Sequence, residues 1–267
     1  YVHIPHTVDD LSGYRMFGLD HYDVLLASGP NQVETVDKIE SLRPSIEKKE
    51  KIIVGSTPLD ELRKKYDENH RKEENKKPVV LVAPSWGKSG ILSKYGDKFL
   101  SSLEKTGFEI IVRPHPQSFS SEKDMIDSLM ERHPSIVWNK DNDNFSVLDR
   151  SDILITDFSG IIFEYALVFK KPLIYADTEF DTLPYDADWL DEEYWSLRKL
   201  PQIGIKLDEK DFDDIGSIIT EALNSKELSK GREELENECW NYQGQAGVRC
   251  VDYLMEKRKT ILERKGE

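Results

Sequence analysis

Three short segments of this chain contain residue types that bind phosphate groups or transfer protons. They are 83–90 (APSWGKSG), 113–116 (RPHP) and 156–160 (TDFSG). Small residues let the backbone approach a phosphate closely, and hydroxyl, guanidinium and imidazole groups donate hydrogen bonds to its oxygens. The three segments together indicate a site for a small ligand that carries phosphate.

The first segment joins a glycine-containing turn to the hydroxyl of Ser85. Such a turn would bring backbone amides near a phosphate, and Ser85 would add a further donor. The G-x-x-x-x-G-K-S/T spacing of a nucleotide-binding P-loop is absent from the segment. An ordinary connecting loop is therefore the alternative interpretation.

In the second segment, two prolines bracket His115 and restrict the backbone on either side of it. A histidine held in this way suits proton transfer or a hydrogen bond to a phosphoryl oxygen. Arg113 would pair with a phosphate through its planar guanidinium. The alternative is a turn histidine that only satisfies backbone groups.

The third segment joins a predicted strand to a predicted helix. Ser159 and the amide of Gly160 would lie at the helix amino terminus, where unpaired N–H groups and the helix dipole attract anions. Thr156 and Asp157 belong to the same predicted substrate-binding segment. Because Asp157 and Ser159 are also good helix caps, capping alone is the alternative. Glu164 would bind ribose hydroxyls, or would simply be a solvated helix residue.

The apolar pattern shows how these segments are positioned. Strands are predicted at 1–5, 24–27, 51–54, 79–83, 108–112, 135–138, 153–156 and 172–176, helices at 92–106, 125–132, 159–169 and 212–223, and a loop at 177–195. From residue 79 onward, strands that are apolar on both faces alternate with helices, which indicates an α/β fold with a parallel sheet covered on both sides. Such sheets bind ligands beyond the carboxyl ends of their strands, so the three segments should meet in one cleft.

Composition limits the possible partners. The chain has 267 residues and a formal net charge of −14. Nucleic-acid binding depends on Lys and Arg that neutralise phosphates, so no nucleic-acid partner is expected. Cys239 and Cys250 are too few for a disulfide framework and lack metal-ligand spacing, which indicates thiols in a reducing compartment. No apolar run approaches the ~18 residues of a membrane span, so any membrane role would be peripheral.

Motifs along nearly the whole chain resemble one family. Segments 113–116, 151–160 and 171–175 occur in an order and spacing similar to the CDP-glycerol glycerophosphotransferase family of teichoic-acid synthesis. Segments 83–86, 55–60 and 242–246 resemble that family's first-strand turn, its pre-linker motif and its closing segment. The resemblance implies a GT-B fold, which contains two Rossmann-like domains.

The implied domain organisation has four parts. Residues 1–60 would be the last part of the amino-terminal, acceptor-binding domain, and 78–230 the nucleotide-donor-binding Rossmann-like domain. Residues 231–267 would form helices that pack back toward the amino-terminal domain. The stretch 61–77 is almost wholly charged and polar, which indicates a linker, with a solvated helix and loop as the alternative.

The resemblance also assigns catalytic residues. Segment 5–7 (PHT) is the best match to the family's Trp-His-Gly-Thr-Pro-Leu-Lys motif, which makes His6 the general base that deprotonates the acceptor hydroxyl. His115, with Arg113, would stabilise charge on the diphosphate. The chain has Pro and Thr where the family has the Trp and Gly beside this histidine, and Gly160 where it has the second serine of Tyr-Ser-Ser.

The implied activity is transfer of a polyol phosphate, such as glycerol phosphate, from a CDP-linked donor to a hydroxyl of a cell-wall or capsule polymer or a lipid-linked primer. The protein would act in the cytoplasm, with peripheral contact at the inner face of the cell membrane. No metal or tightly bound cofactor is expected, and entry of Mg²⁺ with the nucleotide stays open. The alternatives are a GT-B glycosyltransferase that uses a sugar nucleotide and a nucleotide-binding fragment without activity of its own.

Overall fold

The structure, a computed structural model, describes residues 1–9, 11–13, 17–69, 77–178 and 193–266. These residues form two compact units. The first contains the described residues of 1–68, 182–195 and 234–267, and the second contains those of 69–181 and 196–233.

The elements alternate along the chain as the apolar pattern predicts. The described strands are β1 (Val2–His3), β2 (Val24–Ala27), β3 (Glu50–Ile53), β4 (Val79–Val82), β5 (Glu109–Val112), β6 (Val137–Trp138), β7 (Ile153–Thr156), β8 (Leu173–Ala176) and β9 (Gly204–Leu207). The described α-helices are α1 (Pro30–Leu42), α2 (Thr57–Asn69), α3 (Ile91–Glu104), α4 (Ser118–Ser121), α5 (Lys123–Arg132), α6 (Phe145–Arg150), α7 (Ile161–Phe163), α8 (Trp195–Ile203), α9 (Ile215–Asn224), α10 (Lys226–Cys239) and α11 (Ala246–Lys265). A π-helix (Glu164–Phe169) continues α7, and short 3₁₀ helices in the described ranges span Leu11–Gly13 and Glu209–Asp214.

The second unit is built on a six-stranded sheet with the order β6-β5-β4-β7-β8-β9, in which every neighbouring pair is parallel. All residues of β4 and β7, the two central strands, are buried, as expected for a sheet covered by helices on both faces. The predicted α/β class with a parallel sheet is confirmed, and the five predicted strands lie within two residues of the observed bounds. Because β5, β4 and β7 are neighbours, the loops that follow them lie side by side.

Strand β9 and helix α8 are among the elements of the second half of the chain that were not predicted, as is the short helix α6. Strand β9 is a four-residue edge strand that contains Lys206, so its sequence lacks the continuous apolar run of the central strands. Helix α8 contains Pro201, a residue that normally indicates a helix boundary. The predicted loop at 177–195 falls largely on residues 179–192, which lie outside the described residues. Of the predicted linker, residues 61–69 continue helix α2 and 70–76 lie outside the described residues.

The first unit has a three-stranded parallel sheet with the order β1-β2-β3. One face packs against α1 through a cluster that includes Leu25 and Val36. The other face packs against α11 through a cluster that includes Leu26 and Cys250. Both cysteines are buried free thiols. Among the described residues, no helix combines the length and the apolar character needed to cross a membrane.

Within the first unit, a carboxylate fastens the start of α11 to α2. Asp60, in the first turn of α2, accepts hydrogen bonds from Trp240 Nε1 at 2.9 Å and from the Ala246 amide at 3.0 Å. Gly55 has a φ of +100°, and a Cβ there would lie 2.5 Å from the carbonyl oxygen of Asn241. The segments that resemble the family's pre-linker motif and closing segment therefore meet. Gly55 and Asp60, both in the pre-linker segment, are needed for that contact.

We expect Asp60→Asn to lower the free energy of unfolding by about 1.5–3 kcal/mol, because an amide side chain can accept from only one of the two donors. Glu61→Gln, which changes the exposed neighbouring carboxylate, is the matched control and should shift stability by less than about 0.5 kcal/mol. Urea unfolding followed by circular dichroism measures both. Equal stability of the two variants would contradict the fastening role of Asp60.

Candidate functional site

One cavity of about 320 Å³ lies at the carboxyl edge of the second sheet, beyond the ends of β4, β5, β6 and β7. Its lining consists of Ala83, Pro84, Arg113, Pro114, His115, Pro116, Asn142, Asp143, Asn144, Ser159, Ile161 and Glu164. Four predicted site residues from separate parts of the chain therefore share this cavity: Arg113, His115, Ser159 and Glu164.

The buried carboxylate of Asp157 joins two loops of this edge. Its Oδ1 accepts from the amides of Ser85 at 2.9 Å and Phe158 at 2.8 Å, and its Oδ2 accepts from the amide of Ile91 at 3.0 Å. Ser85 and Ile91 belong to the loop after β4 and the first turn of α3, whereas Asp157 directly follows β7. One side chain thus fixes the ends of two neighbouring strands relative to each other.

The charge state of Asp157 follows from these partners. Burial raises the pKa of its carboxyl above the usual value, and the hydrogen bonds from Ile91, Ser85 and Phe158 oppose that rise. All three backbone partners are donors, so the ionised carboxylate, which only accepts, is the form that satisfies them.

Thr156 and Ser85 also face the protein rather than the cavity. Thr156 is fully buried, and its Oγ1 donates to the carbonyl oxygen of Ala83 at 2.6 Å. The side chain and the amide of Ser85 both bond to Asp157. None of these three predicted substrate-binding residues is in the lining of the described cavity. In this structure they hold its loops in place, and a direct contact with substrate stays a prediction.

A close approach of the backbone shapes the loop after β4. A Cβ at Gly90 would lie 2.5 Å from the carbonyl oxygen of Ser85, so only glycine fits there without a shift of the loop. The Gly87 amide donates to Glu122 Oε1 at 3.1 Å, which holds the tip of the same loop against α5's amino end. The first predicted segment is therefore a fixed turn.

The turn around His115 selects the tautomer of its ring. The imidazole is exposed at the cavity, and its Nδ1 accepts from the Gln117 amide at 3.1 Å. A neutral imidazole that accepts at Nδ1 carries its proton on Nε2. The available donor is therefore Nε2–H, as a hydrogen bond to a phosphoryl oxygen requires.

Arg113 is partly engaged by the protein itself. Its Nη1 donates to Asn139 Oδ1 and to the carbonyl oxygen of Asp141 at 2.7 Å, and its Nη2 lies 3.4 Å from the carbonyl oxygen of Asn142. These bonds hold the loop after β6 against the cavity. The structure thus gives Arg113 a positioning contribution, and its predicted contact with a phosphate stays a prediction.

The helix after the third segment begins at the cavity. The amide of Ile162 donates to the Ser159 carbonyl at 3.2 Å, and that of Phe163 to the Gly160 carbonyl at 3.3 Å. Gly160 is exposed, and a Cβ there would meet no atom within 4 Å, so the serine that the family has at this position would fit. The predicted anion-binding amides therefore lie at a real helix start, beside the Ser159 side chain.

Glu164 marks the point where this helix becomes a π-helix, an arrangement that is rare and frequent at functional sites. Its Oε2 accepts from Asn144 Nδ2 at 3.5 Å. Burial raises the pKa of the Glu164 carboxyl, and the bond from Asn144 partly opposes the rise. A half-buried carboxylate in a cavity wall is well placed to accept from two hydroxyls.

Sequence reasoning missed one wall of the cavity, formed by Asn142, Asp143 and Asn144. These residues follow the two-residue strand β6, where the chain is polar from Asp141 to Asn144. The rule that ligands bind beyond the carboxyl ends of parallel strands, applied to β6 as well, would have identified them.

His6 lies in the first unit, in the loop that follows β1, with an exposed side chain. In β1, the ring of His3 lies 4.8 Å from the ring of Tyr22. Burial lowers the pKa of His3, and the neighbouring His6 lowers it further. The general-base role of His6 stays a prediction.

With CDP as the probe that the family resemblance implies, we expect Asp157→Asn to reduce affinity about 10-fold or more. The NH₂ group of the asparagine would face a backbone donor, and one of the two loops would be released. Isothermal titration calorimetry measures the change. Asp152→Asn is the matched control, since Asp152 Oδ2 accepts from the Val79 amide at 2.8 Å at the opposite ends of the same strands. The control should lose stability without losing affinity, and an equal loss of affinity in both variants would contradict the positioning role.

Comparison with known proteins finds a relative that is named for teichoic acid biosynthesis. The chain is 30% identical over 159 residues to the minor teichoic acid biosynthesis protein GgaB of Bacillus subtilis (strain 168), a match that covers 49% of this chain and 16% of that protein.

Solved structures share the fold. A structure of the wall teichoic acid polymerase TagF soaked with CDPG has a TM-score of 0.53 and 16% identity, over 91% of this chain and 58% of that one. The α,α-trehalose 6-phosphate synthase of Burkholderia multivorans has a TM-score of 0.50 and 11% identity, over 94% of this chain and 61% of that one. The chain thus has a GT-B type α/β fold, and it spans less than two thirds of the length of each of these relatives.

The family itself is shown by sequence. The sequence model described as CDP-Glycerol:Poly(glycerophosphate) glycerophosphotransferase matches residues 20–193, a range that contains the cavity and all of its lining residues. The chain belongs to the CDP-glycerol:poly(glycerophosphate) glycerophosphotransferase family.

Proposed function

We propose that this chain carries the donor site of a transferase that moves a polyol phosphate, such as glycerol phosphate, from a CDP-linked donor to a hydroxyl of a cell-wall or capsule polymer or a lipid-linked primer. The observation that carries the proposal is the cavity in which Arg113, His115, Ser159 and Glu164 meet. Family membership supports the choice of a CDP-linked donor.

In the proposed reaction, an acceptor oxygen attacks the phosphorus that bears the polyol. The bond between that phosphorus and the oxygen shared with the nucleoside monophosphate breaks, and CMP leaves. The proton of the acceptor hydroxyl passes to His6. As in other phosphoryl transfers, positioning and electrostatic stabilisation would supply most of the rate increase.

Each cavity residue has a role in this proposal. His115 donates from Nε2 to a diphosphate oxygen. The bond that its Nδ1 accepts from the Gln117 amide favours the tautomer with the proton on Nε2. The hydroxyl of Ser159 and the amides at the start of the helix bind the same diphosphate. Glu164 accepts from ribose hydroxyls, and Arg113 compensates negative charge while it holds the loop after β6.

The general-base role of His6 has separate support. His6 precedes the family match at 20–193, so the role is based on the resemblance of segment 5–7 to the family's histidine motif. Its exposed side chain is compatible with proton transfer to and from an acceptor.

We propose that no tightly bound cofactor is required and that any Mg²⁺ enters with the diphosphate. Among the described residues, no group of three or more His, Cys, Asp and Glu side chains is arranged to hold a metal ion.

We also propose a cytoplasmic protein with peripheral contact at the inner face of the cell membrane, where a lipid-linked acceptor would be available.

The deciding experiment incubates the full-length protein with CDP-glycerol, CDP-ribitol and UDP-sugars, and measures the released nucleotide. The proposal expects CMP together with a product that contains the polyol phosphate. Release of a nucleoside diphosphate would instead identify a glycosyltransferase that uses a sugar nucleotide. Binding of CDP without turnover of any donor would identify a nucleotide-binding module.

We expect different kinetic effects from the two histidines. His6→Ala should lower kcat by about 10²–10⁴ and leave the Kd for CDP nearly unchanged, because it removes only the base. His115→Ala should lower kcat and weaken CDP binding, because it removes a bond to the diphosphate. Stopped assays of CMP release and calorimetry with CDP measure the two quantities. Normal turnover by folded His6→Ala would remove the base assignment.

We expect CDP-glycerol binding to weaken as the pH falls through the raised pKa of Glu164, above the usual value of about 4.3 for a glutamate. The ionised carboxylate accepts from ribose, and protonation replaces an acceptor with a donor. In Glu164→Gln the affinity should be lower at neutral pH and independent of pH in this range. Glu131→Gln, at an exposed position, is the control and should keep the pH dependence of the unaltered protein. If the affinity of Glu164→Gln depended on pH as that of the unaltered protein does, this role of Glu164 would be excluded.

A further inference from the structure

The loop that carries His6 is held by a buried carboxamide at the start of α1. Gln32 is fully buried, and its Nε2 donates to the carbonyl oxygens of Thr7 at 2.9 Å and Asp9 at 3.1 Å. Its Oε1 accepts from the Ser28 amide at 2.9 Å. All three bonds go to backbone groups, so Gln32 connects the loop after β1 to the turn after β2.

The neighbouring residue extends this contact. Asn31 is 3% exposed, and its Nδ2 donates to the carbonyl oxygen of Val8 at 2.8 Å. Its Oδ1 is buried without a hydrogen-bond partner among the described residues. An unsatisfied buried acceptor lowers stability, so stability alone does not explain why an asparagine occupies this position. The hydrogen bond from its Nδ2 to the loop explains it.

The two carboxamides therefore bind three consecutive carbonyl groups, those of residues 7, 8 and 9. On the other side of His6, Pro5 is buried and its ring restricts φ. The backbone is thus fixed immediately before and after His6, while the imidazole is exposed. This arrangement determines the direction of the His6 Cα–Cβ bond without covering the ring.

We propose that Gln32 and Asn31 are positioning residues that hold His6 where it can accept the acceptor proton. The proposal is based on the general-base role of His6 in the proposed function. A base must lie within about 2.6–3.2 Å of the atom that carries the proton, and a displacement of about 1 Å can cost 10²-fold in rate. Neither carboxamide touches substrate in this scheme, because both act through the backbone of the loop.

The test uses Gln32→Met, which keeps the length of the side chain and removes its three hydrogen bonds, in the full-length protein. We expect kcat to fall about 10- to 100-fold while the Kd for CDP stays within about twofold. Asn31→Ala should also lower kcat, and it provides the test if Gln32→Met does not fold. Thr35→Val is the matched control, because Thr35 Oγ1 bonds within α1 to the Asn31 carbonyl at 2.9 Å and, in the part of the chain that the structure describes, makes no bond to the loop. It should keep normal kcat.

A double-mutant cycle separates positioning from a general structural role. If Gln32 acts through His6, adding Gln32→Met to His6→Ala should change kcat by less than about twofold. An equal fractional loss in both backgrounds, or normal kcat in folded Gln32→Met, overturns the inference and leaves the proposed function intact. Normal kcat in His6→Ala overturns the base assignment, and with it the inference.

Discussion

The arrangement of the cavity at the carboxyl edge of the second sheet depends on one buried group, the carboxyl of Asp157. Its oxygens bind the backbone amides of Ser85 and Phe158, which follow two neighbouring central strands, and the amide of Ile91 in the first turn of α3. A buried carboxylate without donors would be costly, and buried amides without an acceptor would be costly as well. Each therefore requires the other, and the two loops cannot move apart without breaking several bonds together.

The same principle recurs around the cavity and in the first unit. Arg113 donates to the loop after β6, Asp60 accepts from the start of α11, and Gln32 binds the loop that carries His6. In each case a polar side chain satisfies backbone groups of a segment that lies far from it in the sequence. Loops that contact ligands cannot be fixed by apolar packing alone, because their backbone polar groups need partners. This is why the site residues divide into those that face the cavity and those that hold its loops.

The cavity wall also uses a departure from regular helix geometry. The helix after β7 becomes a π-helix at Glu164, and the aromatic rings of Tyr165 and Phe169, both within that π-helix, stack with centroids 6.1 Å apart. Burial of these rings stabilises the wider turn from inside the protein. Glu164, at the first position of the π-helix, thereby lies in the cavity wall beside Asn144. Packing on one side of the helix thus sets the geometry of a polar group on the other.

The sequence by itself determined the α/β class, the five main strands and four residues that line the cavity, His115, Arg113, Ser159 and Glu164, because apolar runs and strand-end motifs are local signals. It did not reveal β9 or α8, since a short edge strand with a lysine and a helix with a proline contradict those same local signals. Only the tertiary structure decided that Thr156 and Asp157 face inward, that residues 142–144 line the cavity, and which nitrogen of His115 donates. These outcomes depend on hydrogen bonds between residues far apart in the chain, such as the 72 positions between Ser85 and Asp157, and no local pattern encodes such pairs.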